Sequence, residues 1–412
     1  MGKDMAIPSK LFMVDRDAVN AMPVAALIVV LFSVLITHFL TISVYLLVML
    51  FIFVGSTKIV VTRDLINTAM IMLTGVFIMA YSYDVEPVIT FPMEPRVQSS
   101  NITSMLLTCV ICFVVFIQGY FYSFTVKSPL RFLRYVFLYQ WVLVGLYFAV
   151  AYGAFFLGNS LLLGAITIVL LPYMYLVFDG KPKLRFAFSL AVLLYLRLIL
   201  TRTAFGAAAL FFLTYYLYPY LIRKKIIYKM FFLSFIIILL LSIFVYALSG
   251  FDFASASDIS VKYFGGKGQA PGRDLMWPEL LLYILDKPLF GYGINQDSGF
   301  LRSSAAVLGY RGLDSHNIYL ESLLRGGILL LSFFIILFYR IWGSLYSINN
   351  NKMSRIAASG FMALLFLGAG IPIGLLDNIV LNALLWFFWG VASGNTWINN
   401  HQHVAPPYFS DR

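Results

Sequence analysis

The sequence predicts an all-α integral membrane protein with about twelve transmembrane helices. Of its 412 residues, 61% are hydrophobic and only 11% are charged, whereas soluble domains contain about 25% charged residues. Apolar runs of roughly 17–25 residues, long enough to cross ~30 Å of hydrocarbon, recur along the chain. Basic residues lie in small groups between these runs. Hydrophobicity, run length and charge distribution therefore all indicate a polytopic membrane protein.

Twelve apolar runs account for the predicted transmembrane helices, and they leave one long loop between the ninth and the tenth. Nine runs lie in residues 1–250 and three in residues 316–395, while residues 251–315 form the loop and residues 396–412 a terminal tail. The first and second runs form a short pair, as do the seventh and eighth. The predicted spans are 21–38, 41–56, 65–83, 103–124, 135–157, 160–178, 186–200, 203–221, 231–250, 317–339, 356–376 and 378–395.

The basic residues between the runs predict how the spans are oriented, because cytoplasmic loops of membrane proteins are enriched in Lys and Arg. With the N-terminus in the cytoplasm, every basic group falls on the cytoplasmic side, and the opposite loops are acidic or poor in charge. An even number of spans then places both termini and the tail in the cytoplasm. The basic groups are Lys58 and Arg63; Lys127, Arg131 and Arg134; Lys181, Lys183 and Arg185; Arg223, Lys224, Lys225 and Lys229; Arg340, Lys352 and Arg355.

The net charge of +11 does not indicate a nucleic-acid partner. A protein that binds a nucleic-acid backbone would cluster its basic residues on one face of a domain. Here the basic residues lie in small groups between the predicted spans. No Cys/His cluster or Walker loop is evident, so nothing in the sequence points to a metal, a cofactor or a nucleotide. The first apolar run is followed by further spans, and we expect it to be retained rather than cleaved as a signal peptide.

The loop of residues 251–315, predicted to lie on the outer face, is unusual in its length and composition. Loops longer than about 15 residues are usually functional or disordered. This one contains Trp277, the apolar run Leu280–Leu285 and a turn-like segment at Pro288–Gly293. Because it is too hydrophobic for a flexible linker, we predict an ordered, partly helical cap that rests on the membrane domain.

Several arginines and one histidine are predicted to converge on this outer face, where charged groups near the membrane are costly and therefore functional candidates. Guanidinium groups bind phosphate oxygens in a bidentate manner and are always charged. A neutral imidazole can remove a hydroxyl proton near neutral pH. Together they predict a site that holds a lipid diphosphate while a sugar hydroxyl is activated. The candidates are Arg197, Arg202, Arg273, Arg311, His316 and Arg325.

Each of these residues taken alone has a plainer interpretation. Arg202 could extend to lipid headgroups, Arg311 could face solvent, and His316 could cap the helix that follows it. Three aromatic residues are equally open, since they suit either interfacial anchors or platforms for sugar rings. These are Trp277, Tyr292 and Tyr319.

Three motifs in and around the large loop resemble the O-antigen ligase and Wzy-type polymerase superfamily. Their order and spacing are similar to that family over residues 250–340, and the rest of the chain is similar in topology. The motifs are Gly272-Arg273-Asp274-Leu275-Met276-Trp277, then Lys287-Pro288-Leu289-Phe290-Gly291-Tyr292-Gly293, and then Ser315-His316-Asn317-Ile318-Tyr319-Leu320-Glu321 followed by Gly326-Gly327.

The resemblance implies a metal-independent glycosyltransferase with a GT-C-like architecture in the bacterial inner membrane, with the large loop in the periplasm. Such an enzyme transfers glycan from undecaprenyl diphosphate to a hydroxyl of a second saccharide. By this resemblance His316 matches the general base, Arg273 the loop arginine that holds the diphosphate, and Arg202 the outer arginine beside small residues. We expect Arg311 to assist with the diphosphate. The supporting residues are Arg197, Arg325, Asp274 and Glu321.

The acceptor distinguishes the two activities of the superfamily. A ligase acts on lipid A-core, whereas a polymerase acts on another lipid-linked repeat unit. Ligases typically carry a His- and Arg-rich element before the seventh span, where this chain has Phe155-Phe156-Leu157-Gly158-Asn159-Ser160. This departure favours a polymerase of O-antigen, capsule or exopolysaccharide, with a chain-length regulator as a further partner, and leaves an O-antigen ligase as the alternative.

A transporter or flippase is the alternative from another class of protein. Twelve spans with arginines at membrane depth would suit it. The sequence has no detectable repeat between its halves, few acidic residues within the spans and one long asymmetric outer loop, and these features favour the glycosyltransferase.

Overall fold

The computed structural model describes residues 62–81, 102–125, 128–135, 160–199, 201–249, 273–293, 317–370 and 379–400. Regular structure in these residues is entirely helical, which confirms the predicted all-α class. Within this part of the chain, three helices are long and apolar enough to cross a membrane, namely Arg202–Leu221, Lys225–Leu248 and Ile318–Ser344. The total of twelve spans stays a prediction, because the first two apolar runs and most of the fifth lie outside the described residues.

The helix bounds agree with the predicted spans to within about five residues, except at two of them. The helix predicted at 231–250 begins at Lys225, because lysine is a good helix former that a search for apolar runs leaves out. The helix predicted at 356–376 covers Lys352–Leu367 instead and ends where Gly368 follows. The helices are α1 Arg63–Tyr81, α2 Ile102–Thr125, α3 Ser160–Val177, α4 Pro182–Leu198, α5 Arg202–Leu221, α6 Lys225–Ser249, α7 Arg273–Asp286, α8 Ile318–Ser344, α9 Lys352–Leu367 and α10 Ile379–Asn400.

Helices α2 and α10 approach each other closely along glycines. A Cβ atom at Gly119 of α2 would overlap the Phe387 carbonyl oxygen, and one at Gly390 of α10 would overlap the Phe116 carbonyl oxygen. Small residues of this kind allow membrane helices to pack backbone against backbone, where lipid offers no hydrophobic driving force between helices. The pair α2–α10 therefore depends on van der Waals contact that only glycine permits.

Aromatic pairs fix the relative direction of α6 and α8. Tyr228 of α6 stacks on Trp342 of α8 with ring centroids 4.3 Å apart. The Trp342 Nε1 donates to the Tyr228 carbonyl oxygen at 2.9 Å, and the Tyr228 hydroxyl donates to the Trp342 carbonyl oxygen at 2.9 Å. Tyr228 lies in the first turn of α6 and Trp342 in the last turn of α8, so the two helices are antiparallel.

These directions place the helix termini in two groups at opposite ends of the bundle. The end of α5 meets the end of α8, where the Tyr218 hydroxyl donates to the Leu345 carbonyl oxygen at 2.7 Å. The starts of α4, α6 and α9 lie at this same end. We call it the basic end, and its assignment to the cytoplasm stays a prediction. The described residues that make it basic are Arg131, Arg134, Lys181, Lys183, Arg185, Arg223, Lys224, Lys225, Lys229, Arg340, Lys352 and Arg355.

Asp179 links three segments at the basic end. Its carboxylate pairs with the Lys352 ammonium and lies 3.5 Å from an Arg134 guanidinium nitrogen. The Arg134 Nε also donates to the Leu176 carbonyl oxygen at 2.8 Å. Burial opposes the ionisation of Asp179, but the Lys352 and Arg134 charges hold its pKa below the usual value. This carboxylate therefore stays ionised near neutral pH and joins α3, α9 and residues 128–135.

Candidate functional site

The predicted site residues fall into three groups. His316 and Arg311 lie outside the described residues, and Arg273 and Asp274 form the first turn of α7 without a described side chain. Arg202 is the first residue of α5, Arg197 lies in the last turn of α4, and both side chains are exposed. Glu321 and Arg325 are buried in α8.

Asn317 caps the start of α8. Its Oδ1 accepts hydrogen bonds from the Tyr319 and Leu320 backbone N–H groups at 3.0 and 3.1 Å. Asparagine is among the preferred residues for this position because its side chain satisfies N–H groups that the helix leaves unpaired. The capping role that the sequence left open for His316 is therefore filled by the next residue along the chain.

The end of α9 holds the start of α8 through further hydrogen bonds. The Asn317 Nδ2 donates to the Ala369 carbonyl oxygen at 3.2 Å, and the Ile318 N–H donates to the Gly368 carbonyl oxygen at 2.9 Å. One turn earlier in α9, the Leu365 carbonyl oxygen accepts a hydrogen bond from the Tyr319 hydroxyl at 2.8 Å. Carbonyl groups at the end of a helix lack partners within it, so the start of α8 satisfies the end of α9.

The start of α5 reaches the same end of α9. A Cβ atom at Gly370 would lie 2.5 Å from the Thr203 Oγ1, so the backbone of Gly370 packs directly against the Thr203 side chain. Thr201 is buried against Gly164 of α3. Arg202 lies between these two threonines with an exposed side chain. Residues 368–370 thus contact both the residue after Arg202 and the residue after His316.

Glu321 and Arg325 form an ion pair within α8, with the Arg325 Nε 3.4 Å from the Glu321 Oε2. Each residue is only 9% exposed. Removing one member of a buried pair leaves an uncompensated charge and is strongly destabilising. The spacing of four residues and the burial indicate that Arg325 neutralises the Glu321 carboxylate. The pair therefore stabilises the first turns of α8.

Helix α7 shows that part of residues 251–315 is helical and packed. It contacts α6 and α8, and Trp277 meets Tyr246 of α6 edge-on with ring centroids 5.1 Å apart. Trp277, Tyr292 and Tyr319 are 6%, 5% and 2% exposed. These three rings are therefore packing residues, and neither an interfacial anchor nor a sugar platform describes them.

The turn after α7 exchanges backbone hydrogen bonds with a break in α8. Gly326 and Gly327 have non-helical backbone angles, with φ of 61° at Gly327. In a regular helix the Ile328 N–H would donate to Leu324. Instead, the Ile328 N–H donates to the Pro288 carbonyl oxygen at 2.8 Å, and the Leu324 carbonyl oxygen accepts from the Tyr292 N–H at 2.7 Å.

A second exchange follows one residue along, and glycines make both possible. The Gly293 N–H donates to the Arg325 carbonyl oxygen at 2.9 Å, and the Leu329 N–H donates to the Leu289 carbonyl oxygen at 3.4 Å. A Cβ atom at Gly291 would lie 2.5 Å from the Leu324 carbonyl oxygen. The turn is closed by the Tyr292 hydroxyl, which donates to the Asp286 Oδ2 at 2.7 Å. Burial and the Asp286 carboxylate raise the pKa of Tyr292 to about 12, so this hydroxyl remains a donor.

Two features of the site were missed by sequence reasoning. The cap at Asn317 had a signal, since asparagine before an apolar run is a preferred helix start. The contact of residues 368–370 with α5 and α8 had a weaker signal in Gly368 and Gly370, two small residues within an apolar run.

Comparison with known proteins bears on this same part of the chain. Residues 187–335 match the family described as O-antigen ligase. Two curated proteins, both named "putative polysaccharide ligase", are similar to it. The protein from Rickettsia conorii is 24% identical over 144 residues, which are 33% of this chain and 32% of that protein. The protein from Rickettsia typhi is 30% identical over 148 residues, which are 34% of each.

The match is confined to about a third of this chain and about a third of the length of each relative. No solved structure matches the chain. The family match contains α5, α6 and α7 and most of α8, and so includes Arg202, Arg273 and His316. The resemblance drawn from the three motifs is confirmed by this match.

Proposed function

We propose that this membrane protein is a metal-independent glycosyltransferase, because residues 187–335 match the family described as O-antigen ligase. It transfers glycan from undecaprenyl diphosphate to a saccharide hydroxyl at the periplasmic face of the inner membrane. One observation carries the proposal: the starts of α5 and α8 meet on residues 368–370. The sequence neighbours of that contact are Arg202 and His316.

The proposed roles follow from the chemistry of the reaction. The acceptor oxygen forms a bond to the anomeric carbon while the bond from that carbon to the diphosphate breaks. His316 takes the acceptor proton as general base. Arg202, Arg273 and Arg311 stabilise the charge that develops on the leaving diphosphate, since preorganised donors act where charge appears. No nucleotide or redox partner is needed for this exchange.

The remaining predicted residues have positioning roles in this proposal. Arg325 is buried against Glu321, so we assign the pair to the support of α8 rather than to the diphosphate. Arg197 is exposed at the end of α4, on the same end of the bundle as Arg202, and is assigned to supporting the charged part of the donor. Asp274 follows Arg273 and is assigned to orienting it.

Two acceptors are supported by different observations. The absence of His and Arg from residues 155–160 favours a polymerase, whose acceptor is a second lipid-linked repeat unit. The names of the matched family and of both relatives as ligases favour lipid A-core as the acceptor. The polymerase remains the first proposal, and the ligase is the second.

Purified protein in liposomes with lipid-linked repeat units tests all these activities together. A polymerase makes longer lipid-linked chains from the donor alone, visible as a ladder on a gel. A ligase makes product only when lipid A-core is added. A flippase changes the membrane side of the donor without making a new linkage, and that result would contradict the proposed glycosyltransferase.

A further inference from the structure

Two arginines flank one tyrosine at the basic end, away from the proposed glycosyltransferase site. Arg185 of α4 donates from a guanidinium nitrogen to the Tyr215 hydroxyl. Arg355 of α9 lies over the ring of Tyr215, 3.8 Å from its centroid. Tyr215 is buried, and both arginines are partly exposed. The pair of guanidinium groups is therefore held on a fixed ring and reaches solvent.

Pro219 explains why Arg355 is held there. A proline has no N–H group, so it cannot donate to the carbonyl four residues earlier in its helix, which is that of Tyr215. The Arg355 Nε donates to this carbonyl oxygen at 2.6 Å. One of the five guanidinium N–H groups is thus used within the protein, and the Arg355 side chain as a whole remains partly exposed.

The described residues supply no carboxylate to these arginines. Every ion pair found at this end of the described chain involves Asp179, which is bound to Lys352 and Arg134. Neither α4 nor α9 has an acidic residue in its first turn, where the helix dipole favours negative charge. Within the described residues, Arg185 and Arg355 therefore lie together on Tyr215 without a carboxylate of their own.

The surface beside the arginines is apolar as well as basic. Leu184 and Phe186, on either side of Arg185, are 50% and 67% exposed. Tyr216, next to Tyr215, is 51% exposed, and Lys181 and Lys183 are exposed nearby. A free anion needs only the cations, whereas a phospholipid offers a phosphate to the cations and an acyl chain to the apolar side chains.

We propose that Arg185 and Arg355 bind the phosphate of an anionic phospholipid in the leaflet that faces the basic end. The guanidinium forks hold the phosphate oxygens, Tyr215 keeps the forks together, and Leu184 and Phe186 contact the acyl chains. This site is separate from Arg202 and from the start of α8, and it does not depend on the proposed glycosyl transfer.

Lipid titration of the purified full-length protein tests the site. Delipidated protein in a non-ionic detergent is titrated with phosphatidylglycerol, and the concentration that gives half of the rise in melting temperature is measured. We expect the double variant Arg185→Gln, Arg355→Gln to raise this concentration at least about tenfold, as for the loss of hydrogen bonds to a charged group. The matched control Arg223→Gln, Lys224→Gln removes the same charge from exposed residues at the same end and should leave it nearly unchanged.

A second variant guards against misfolding, because Arg355 also satisfies the Tyr215 carbonyl. Arg185→Gln leaves that bond intact and should weaken lipid binding in the same direction. Wild-type affinity in Arg185→Gln, or an equal loss in the control, would overturn the proposal. The lipid would then be held by non-specific electrostatic attraction to the basic end. Inorganic phosphate and phosphatidylcholine are tested in parallel. If inorganic phosphate at the same concentration stabilises the protein as well as phosphatidylglycerol does, the site holds a soluble anion and the lipid assignment is wrong.

Discussion

The side chain of Asn317 donates from Nδ2 to the carbonyl oxygen of Ala369 at 3.2 Å, and so ties the start of α8 to the end of α9. The same side chain accepts the first N–H groups of α8 through Oδ1. It is fully buried, so neither half can be replaced by water. One residue thus fixes where the chain carrying His316 enters the bundle.

Replacing this residue should therefore affect activity beyond its effect on stability. Asn317→Ala is expected to lower stability by about 1–3 kcal/mol through loss of the cap and of a partner for a buried carbonyl. Asn351→Ala is the matched control, since Asn351 caps α9 at the basic end. We expect both variants to have a lower melting temperature, and only Asn317→Ala to lose most of the glycan-transfer activity. Equal activity in the two variants would contradict a special role for the α8 start.

The glycine break in α8 gives a second prediction. Gly327 has φ of 61°, and a Cβ atom there would overlap the backbone of Leu289, so Gly327→Ala forces the turn after α7 away from α8. We expect a loss of several kcal/mol, above the ~1–2 kcal/mol of left-handed strain alone. Gly343→Ala is the control on the same helix, because a Cβ there meets nothing within 4 Å and alanine favours helix by ~1 kcal/mol. Thermal melting in detergent measures both, and similar melting temperatures would argue against the exchanged hydrogen bonds.

Sequence reasoning found the helices but only part of the site. The physical reason is that the contacts which build the site join segments far apart in the chain. Apolar runs located α5 to within one residue and identified the turn at 288–293. The bonds that join this turn to Leu324 and Ile328 link segments far apart in the chain. These bonds use backbone groups, which every residue has, so no pattern of side chains in the sequence predicts them. Glycine alone hints at them, by permitting the contact.

The contact of α9 with both site helices was hidden for a related reason. Residues 368–370 fall inside the apolar run 356–376, which hydropathy treats as uninterrupted helix. The structure ends α9 at Leu367, and the freed carbonyl groups of Gly368 and Ala369 become the acceptors for α8. Hydropathy measures the cost of burial and carries no information about which carbonyl groups a neighbouring helix uses.

The arginine of the loop motif offers a test of diphosphate binding. Arg273→Lys keeps the charge but loses the planar fork, and we expect a large loss of glycan transfer with normal expression and insertion. Arg223→Lys is the matched control at the basic end. Binding of labelled lipid-linked donor should weaken in the first variant only. Wild-type activity in Arg273→Lys would reduce this residue to a general positive charge.

The orientation of the bundle can be tested by thiol labelling. Asn350 is exposed at the basic end, while Ser298 belongs to the long loop, so single cysteines at these positions should report opposite sides. In cells with a permeable outer membrane, an impermeant reagent should label Ser298→Cys and spare Asn350→Cys. Cys109 and Cys112 are first replaced by serine to remove background. Equal labelling would contradict the periplasmic assignment of residues 251–315.

His316 is the residue on which the proposed chemistry depends most. If it takes the acceptor proton, His316→Ala should lower glycan transfer about 10²–10⁴-fold and leave donor binding intact, because the arginines hold the diphosphate. Since Asn317 is the cap of α8, His316→Asn should not rescue the enzyme by capping, and asparagine is not a base. Transfer is followed on a gel with purified protein and lipid-linked substrate, folding by thermal melting, and His401→Ala in the tail serves as the control. An active, normally folded His316→Asn enzyme would exclude the base role, because an amide cannot accept the proton that the reaction releases.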